Sequence, residues 1–388
     1  MTKKAKQLSM MTMIVFIIMN FTLSMSSTLF NGILDKIAVE LSIPLSKTGY
    51  LSSFYAYGAG IGVPIFLIVF RKYNRSILLK TMLFLNIIVT CLSLIAPNFT
   101  LLLMMRFLMG LTGNSYGVLA TSNIAALSPK DKVGKNLSLL ITGGASALMI
   151  GVPLTRTLVA MYSWQKIFIV LVGIMLCAWI YFLLNLPNHI DVEFHSDLKV
   201  ELGLLKDKQV QLVLICSIIN FIGYGAFYTY ITPYLVTLFP QFDRTMSVIL
   251  SLIGFCSFSG NLIGGIVCDC VGYKKALMLG TFVQILTGVC IVFTQNSAYS
   301  NLLFSLLWMF TGWFIGLQIN TGIAVVTRSK SSLMISLNGS CISLGQAAGV
   351  SVASMIINQF TISKVIVLSL CTSICVLFIL LAERKKGN

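Results

Sequence analysis

Long apolar stretches alternate with short polar segments along the whole chain. Each stretch is about 20 residues or longer, the length that an α-helix needs to cross a hydrocarbon layer of about 30 Å. Charged residues lie in the segments between the stretches or at the ends of the stretches, and only Arg106 and Arg156 lie further inside. A charge at the centre of a bilayer costs about 3 kcal/mol or more, so the pattern predicts a helical membrane protein. We predict twelve spans, at about 11–34, 48–70, 77–96, 101–126, 137–160, 166–187, 210–236, 246–268, 276–294, 300–326, 333–357 and 361–382.

Composition agrees with this prediction and adds an orientation. The 388 residues are 57% hydrophobic and only 10% charged, which excludes a soluble domain. With the N-terminus placed in the cytoplasm, 20 Lys and Arg residues fall on the cytoplasmic side and five on the other. We therefore expect a multi-pass protein of the cell membrane with both termini in the cytoplasm. The net charge of +16 then reflects topology and attraction to anionic lipid, and no loop is long enough to suggest nucleic-acid binding.

The chain contains two halves of one repeat. Residues 188–208 hold five of the eleven acidic residues and both histidines, and we interpret them as a cytoplasmic linker between bundles at 1–187 and 209–388. The halves superpose at an offset of 198 residues. This offset aligns small residues that recur at every fourth position, and it matches Gly143, Ala147 and Gly151 with Cys341, Gly345 and Gly349. The predicted fold is an all-α membrane protein of two pseudo-symmetric six-helix bundles. Such repeats are typical of transporters that hold a small-molecule substrate between halves.

One polar loop carries a specific motif. Between spans eight and nine the chain reads Gly265-Ile-Val-Cys-Asp269-Cys-Val-Gly272-Tyr-Lys274-Lys275. This string resembles the signature loop of the major facilitator superfamily. Gly265 is expected to allow close helix crossing, Gly272 a tight turn, and Asp269 a gating contact near a helix end. The equivalent loop of the first half lacks both the glycine and the aspartate and has Arg71 instead.

Further strings resemble the drug–proton antiporter branch of that family, which includes sugar and purine-nucleoside exporters. They are the Arg106 segment of span four, Gly151-Val-Pro153-Leu in span five, Trp164-Gln-Lys166-Ile-Phe168, and Tyr228-Thr-Tyr-Ile-Thr-Pro233-Tyr-Leu. The resemblance implies efflux of a small organic solute, a drug, sugar, nucleoside or metabolite, usually by proton antiport. Asp35 and Arg156 each introduce a charge where the family pattern has none. Both fall at outer helix ends of the first half, so we expect them to pair.

Helices one, four, seven and ten line the substrate cavity in the family. Polar and aromatic residues inside the spans, above all in these four, are therefore candidates for the cavity wall. Two interpretations of Arg106 are open. Its role is structural if it bonds backbone carbonyls or snorkels to the membrane surface, and functional if it organises the cavity or a proton path. For Arg156, snorkelling and pairing with Asp35 are both open. The gating candidates are Asp35, Pro153, Arg156, Gly265, Asp269 and Gly272. The substrate-binding candidates are Asn20, Arg106, Asn114, Asn220, Tyr224, Tyr228, Trp313, Gln318, Asn320 and Asn338.

No acidic residue lies inside a predicted span, so nothing offsets the desolvation of a lipophilic cation. A neutral or anionic solute fits better, and Asp35 is the only plausible proton-binding carboxylate. The alternatives are an uncoupled facilitator or importer, and a transporter-like sensor or lipid-moving scaffold. Walker, His-Glu-x-x-His and nucleophile-elbow motifs are absent from the sequence, so we expect no enzyme, cofactor or metal site. A monomer is expected.

Overall fold

The computed structural model describes residues 8–70, 72–129, 131–188, 201, 203–327 and 332–387, and most of them are helical. The predicted linker falls largely outside these residues. In the first half the long helices are α1 (Met10–Thr28), α2 (Tyr50–Val69), α3 (Arg75–Leu94), α4 (Phe99–Leu127), α5 (Val133–Val159) and α6 (Trp164–Asn185). In the second half they are α7 (Lys208–Leu238), α8 (Met246–Val271), α9 (Tyr273–Phe293), α10 (Ala298–Val326), α11 (Ser332–Gln359) and α12 (Val365–Gly387).

Eleven helices within the described residues are long and apolar enough to cross a membrane. They correspond to the predicted spans other than span four. Helix α4 is 29 residues long, but Arg106, Asn114 and Asn123 interrupt its apolar sequence, and it is not among the eleven. The prediction is thus met for eleven spans, and the spanning role of α4 stays a prediction.

Helix α5 is irregular at its centre. Its two α-helical parts, Val133–Ser146 and Val152–Val159, are joined by a π-helical turn at Ala147–Gly151. Pro153 lies two residues after the turn and lacks the N–H that would bond four residues back, so the wider turn lies where proline interrupts the regular ladder. Through this turn α5 approaches α8, since a Cβ at Gly254 would lie 2.6 Å from Met149 Cα.

The small residues that the repeat aligns are contact points between helices. A Cβ at Gly143 would stand 2.6 Å from the Ile17 carbonyl oxygen, which brings α5 against α1. In the second half, a Cβ at Gly349 would stand 2.0 Å from the Ile222 carbonyl oxygen, which brings α11 against α7. Both distances are too short for any side chain. The predicted close approach is confirmed for α5 with α1 and for α11 with α7, which are corresponding helix pairs of the two halves.

The signature loop is partly as predicted. Gly272 ends α8 with φ of 81°, a left-handed conformation that glycine adopts at little cost, so the predicted tight turn is confirmed. The prediction for Gly265 is wrong. A Cβ there would meet only Leu317 Cδ2, at an ordinary 3.7 Å, whereas at Gly260 it would lie 2.1 Å from the Phe310 carbonyl oxygen. Successive helix positions are 100° apart, and the face that carries Gly260 is the one that meets α10.

Candidate functional site

The helical array has two ends. The terminal end is where α1 begins and α12 ends, and the distal end is where α1 ends and α2 begins. Helices α2 and α11 run together and join the two halves of the chain, with Gly60 directly against Leu344. At the distal end Ser53 Oγ donates to the Ala347 carbonyl at 2.9 Å. Because the backbone carbonyl is the acceptor, this bond fixes the spacing between α2 and α11.

A cavity of about 180 Å³ lies between the halves, beside these contacts. Helices α1, α2 and α4 contribute one wall, and α7 and α11 the other. All of its lining residues are uncharged, and most carry a hydroxyl or an amide. The polar lining residues are Ser27, Thr28, Asn31, Ser52, Tyr55, Asn114, Tyr228, Thr229, Ser343 and Gln346.

Of the ten predicted binding residues, Asn114 and Tyr228 line this cavity. Asn114 Nδ2 donates to the Gly110 carbonyl of its own helix at 3.1 Å and lies 3.4 Å from the Tyr55 hydroxyl. Tyr228 is the partly exposed end of a row of rings. Its ring stacks on Tyr224, with centroids 5.3 Å apart and ring planes 17° apart. These two helices, α4 and α7, therefore present their predicted residues to one space.

Tyr224 and Trp313 form the support behind Tyr228. Tyr224 is buried, and its ring stacks on Trp308 with centroids 5.8 Å apart and planes 9° apart. Trp313 Nε1 donates to the Tyr224 hydroxyl at 2.8 Å. A buried tyrosine hydroxyl needs such a partner, and the bond fixes the ring relative to α10. Trp308 was not a predicted site residue, although it lies on the same helix as Trp313.

Arg106 is fully buried against backbone. Its Nε donates to the Leu51 carbonyl at 2.9 Å, and its Nη1 and Nη2 donate to the Ser26 and Ser27 carbonyls at 3.0 and 2.9 Å. The guanidinium carbon lies 4.7 Å from the Tyr55 ring centroid. Of the two alternatives, carbonyl bonding is the geometry present. Since Ser27 and Tyr55 line the cavity, Arg106 also holds two helices that form its wall.

Four of the other candidates join neighbouring helices. Asn20 donates to the Leu140 carbonyl at 2.7 Å, and Gln318 donates to the Gly264 carbonyl at 2.9 Å. Asn338 accepts from Ser217 at 2.6 Å and donates to Asn320 at 2.9 Å, and Asn320 is itself exposed. Asn220 is 2% exposed, and neither polar atom of its amide has a hydrogen-bond partner among the described residues.

A cluster of four charged residues closes the distal end. Arg156 Nη1 lies 2.6 Å from Asp35 Oδ1, so the predicted pair is confirmed. Arg156 Nη2 also lies 2.5 Å from Asp243 Oδ1, and Lys36 Nζ lies 3.4 Å from the same oxygen. Asp243 belongs to the loop between α7 and α8, so Arg156 and Lys36 both bridge the halves.

The cluster changes the ionisation of Asp243. Partial burial alone would raise the pKa of its carboxyl. The positive charges of Lys36 and Arg156 outweigh burial and hold the pKa below its ordinary value. The closed arrangement therefore favours the ionised carboxylate, which keeps the bridge charged.

Further bonds tie the halves beside this cluster. Tyr230 Oη donates to the Ser46 carbonyl at 2.7 Å, and Ser354 Oγ donates to the same carbonyl at 2.6 Å. Ser53 Oγ and Ser351 Oγ lie 2.9 Å apart, and Thr157 Oγ1 lies 3.0 Å from Ser247 Oγ. The distal ends of α2, α5, α7, α8 and α11 are thus joined by short hydrogen bonds across the two halves.

A family model described as Major Facilitator Superfamily matches residues 16–240 and 213–388. The chain belongs to the major facilitator superfamily. A curated relative, the uncharacterized MFS-type transporter YbcL of Bacillus subtilis (strain 168), is 24% identical over 353 residues, 90% of each chain. The solved structure of a point mutant of the nucleoside transporter NupG has a TM-score of 0.73 and 13% identity, covering 96% of this chain and 99% of that one. The solved structure of FucP in the outward conformation has a TM-score of 0.64 and 15% identity, and the match covers 97% of this chain and 99% of that one.

These results identify a transporter of a small solute with the major facilitator fold. Within that fold, the signature-motif residue Asp269 is exposed near the end of α8, and Lys274, in the first turn of α9, lies 2.9 Å from Glu383 of α12. Pro153 is buried in the α5 segment that meets α8. The gating candidates thus divide between the two ends, with Asp35, Pro153 and Arg156 distal and the glycine–aspartate loop terminal.

Sequence reasoning missed Asn31 and Asp243 as site residues. Asn31 lies four residues before Asp35, lines the cavity, and accepts from Ser52 Oγ at 2.5 Å. The position of this polar residue close to Asp35, a predicted charged residue, could have indicated Asn31 from the sequence. Asp243 was visible as an acidic residue in a distal loop. Its pairing with Arg156 depends on how the halves meet, which the sequence of one loop does not encode.

Proposed function

We propose that this chain exports a small neutral or anionic organic solute across the cell membrane by alternating access, with protons moving inward. The observation that supports this most is the uncharged, hydrogen-bonding lining of the cavity between the halves. Amides and hydroxyls satisfy the polar groups of a neutral solute. A lipophilic cation would find no carboxylate in this lining to offset its desolvation.

Alternating access needs two rigid halves that separate at one end at a time. In the proposal, α1–α6 and α7–α12 are two six-helix bundles, and α4 is the twelfth span. The sequence orientation places the distal end outside the cell, so the bonded distal contacts belong to a state closed to the outside. Release of these contacts would let the cavity face outward and discharge its solute.

Coupling to protons is assigned to the distal cluster. Arg156 is 6% exposed and holds Asp35 and Asp243 with two different nitrogens. In the proposal, opening of the distal end exposes the Asp35–Arg156 pair to the outside, and a proton that binds Asp35 there releases it from Arg156. An anionic solute that takes Arg156 would have the same effect. The proposed direction of transport is supported by the resemblance to exporters.

The test is uptake into everted vesicles, in which export appears as accumulation. Vesicles with and without the protein are given a panel of neutral, anionic and cationic solutes, with an acid interior or without a gradient. We expect accumulation of a neutral or anionic solute that depends on the acid interior. Equal movement with and without the gradient would support an uncoupled facilitator. Accumulation of cations alone would contradict the proposal.

A further inference from the structure

We propose that the cavity selects a solute with a flat, uncharged ring, and that Tyr228 is the residue that makes this selection. The inference rests on the proposed function, because it names the substrate class of the same cavity. It depends on the position of one aromatic face, on the support behind that face, and on the chemistry of the groups around it.

Tyr228 is the end member of three nearly parallel rings. Its ring lies 5.3 Å from that of Tyr224 at 17°, and Tyr224 lies 5.8 Å from Trp308 at 9°. Trp308 and Tyr224 are 1% and 3% exposed, so neither is available to a solute. Tyr228 is the partly exposed ring of the row, and it lines the cavity. A flat solute ring placed there would continue the existing stack.

The support behind Tyr228 is fixed on several sides. Trp313 donates to the Tyr224 hydroxyl at 2.8 Å, and Phe227 packs edge-on against Trp308 with centroids 5.0 Å apart. Gly312 leaves the space that Tyr224 occupies, since a Cβ there would lie 2.7 Å from the tyrosine ring. A ring held in this way loses little freedom when a solute stacks on it, so more of the stacking energy remains as affinity.

The groups around this face suit the edge of a polar ring. Asn31, Asn114 and Gln346 line the same space and carry both a donor and an acceptor in one side-chain amide. A ring that carries carbonyl and N–H groups in its plane can bond such amides while its face stacks on tyrosine. A charged ring would find no counter-ion in the lining.

The experiment measures binding to the purified full-length protein by equilibrium dialysis. Adenosine, uracil and nicotinamide are the flat uncharged probes, and D-fucose and glycerol are neutral probes without a flat ring. We expect the flat probes to bind and the others to bind at least fivefold more weakly. Stacking on an aromatic side chain contributes about 1–3 kcal/mol, so Tyr228→Leu should weaken the flat probes about fivefold or more. Tyr228→Phe keeps the ring face and should stay within about twofold.

Tyr181→Leu is the matched control, because this tyrosine lies on α6, 3.1 Å from the Thr12 hydroxyl and away from the cavity. It should leave binding unchanged. If Tyr228→Leu is not recovered as folded protein, Tyr228→Met replaces it. Flat probes that bind the leucine or methionine variant as tightly as the parent would overturn the inference. Transport of D-fucose with no binding of flat probes would overturn it too, and would leave the proposed function standing. Failure of every solute in both classes to bind or be transported would overturn both.

Discussion

The ion pair between Arg156 and Asp243 is a contact whose loss should act directly on the opening of the distal end. Arg156 lies in α5 of the first half and Asp243 in the loop between α7 and α8, with 2.5 Å between Nη2 and Oδ1. The Asp35–Arg156 pair lies within the first half, so it can persist when the halves separate. Asp243→Asn removes a charge that is paired only across the halves. We expect it to shift the population toward the state open at the distal end.

The size of this shift follows from the exposure of the partners. The side chain of Arg156 is 5% exposed, but those of Asp243 and Lys36 are 43% and 46% exposed. Solvent screening limits exposed pairs to about 0–1 kcal/mol, and the buried guanidinium places this pair at the upper end, about 1 kcal/mol. Only the difference between the two states moves the equilibrium. The open fraction should therefore rise about fivefold.

The assay is the labelling rate of one introduced cysteine. Ser343 lines the cavity, and among the described residues its hydroxyl bonds only to Gly339 of its own helix, so Ser343→Cys disturbs little. A membrane-impermeant maleimide is added from the distal side, and the parent chain without this cysteine gives the background. We expect about fivefold faster labelling in the Asp243→Asn background. The control is Glu40→Gln, because Glu40 accepts from Gln165 within the first half at 3.3 Å and should leave the rate unchanged.

The pH dependence of the same assay has a defined sign. The lowered pKa of Asp243 means that its bridge is fully present above the ordinary carboxylate value of about 4 and is lost as pH falls below it. Because maleimide reacts with the thiolate, whose fraction itself changes with pH, the quantity compared is the ratio of the Asp243→Asn rate to the parent rate at each pH. This ratio should be flat from about pH 6 to 8 and should fall toward one only in strong acid, where the carboxyl of the parent is also uncharged. An unchanged rate in Asp243→Asn at pH 7, or an equal rise in Glu40→Gln, would refute the bridging role.

Three further predictions concern other parts of the chain. Arg106→Lys cannot reach three carbonyls as the guanidinium does, so it should lower stability by about 2 kcal/mol, seen as a lower melting temperature in detergent; an unchanged melting curve would contradict this. Gly349→Leu should reduce the yield of folded protein on size exclusion, whereas Gly339→Ala, with nothing within 4 Å of its Cβ, should not. Asp269→Asn should insert normally but slow turnover, and full transport with unchanged cysteine accessibility would exclude a gating role.

The sequence predicted the features that depend on local pattern. Span positions follow from hydropathy, and the contacts of Gly143 and Gly349 follow from steps of four repeated at a fixed offset. The Asp35–Arg156 pair was predictable because two unusual charges fall at the same end of the same half. Each of these requires only the composition and period of a helix.

Features that depend on the facing surface were not predictable. Asn20 and Asn114 are both asparagines inside predicted spans, yet one bonds a neighbouring helix and the other lines the cavity. Gly260 and Gly265 differ in contact because one faces α10 closely and the other does not. Helical periodicity gives the angle between residues but not the direction of the partner helix. The role of Asp243 depended in addition on how the two halves of the chain come together.

Alternating access of the cavity is tested most directly by locking the distal end. Ser53 Oγ and Ser351 Oγ, on α2 and α11, lie 2.9 Å apart, so cysteines at both positions can form a disulfide across the halves. Transport of the solute found with everted vesicles is measured in the oxidised and reduced double variant and in each single variant. We predict that the oxidised double variant does not transport, that reduction restores transport, and that both single variants are active. Full transport by the oxidised, fully cross-linked protein would contradict the account.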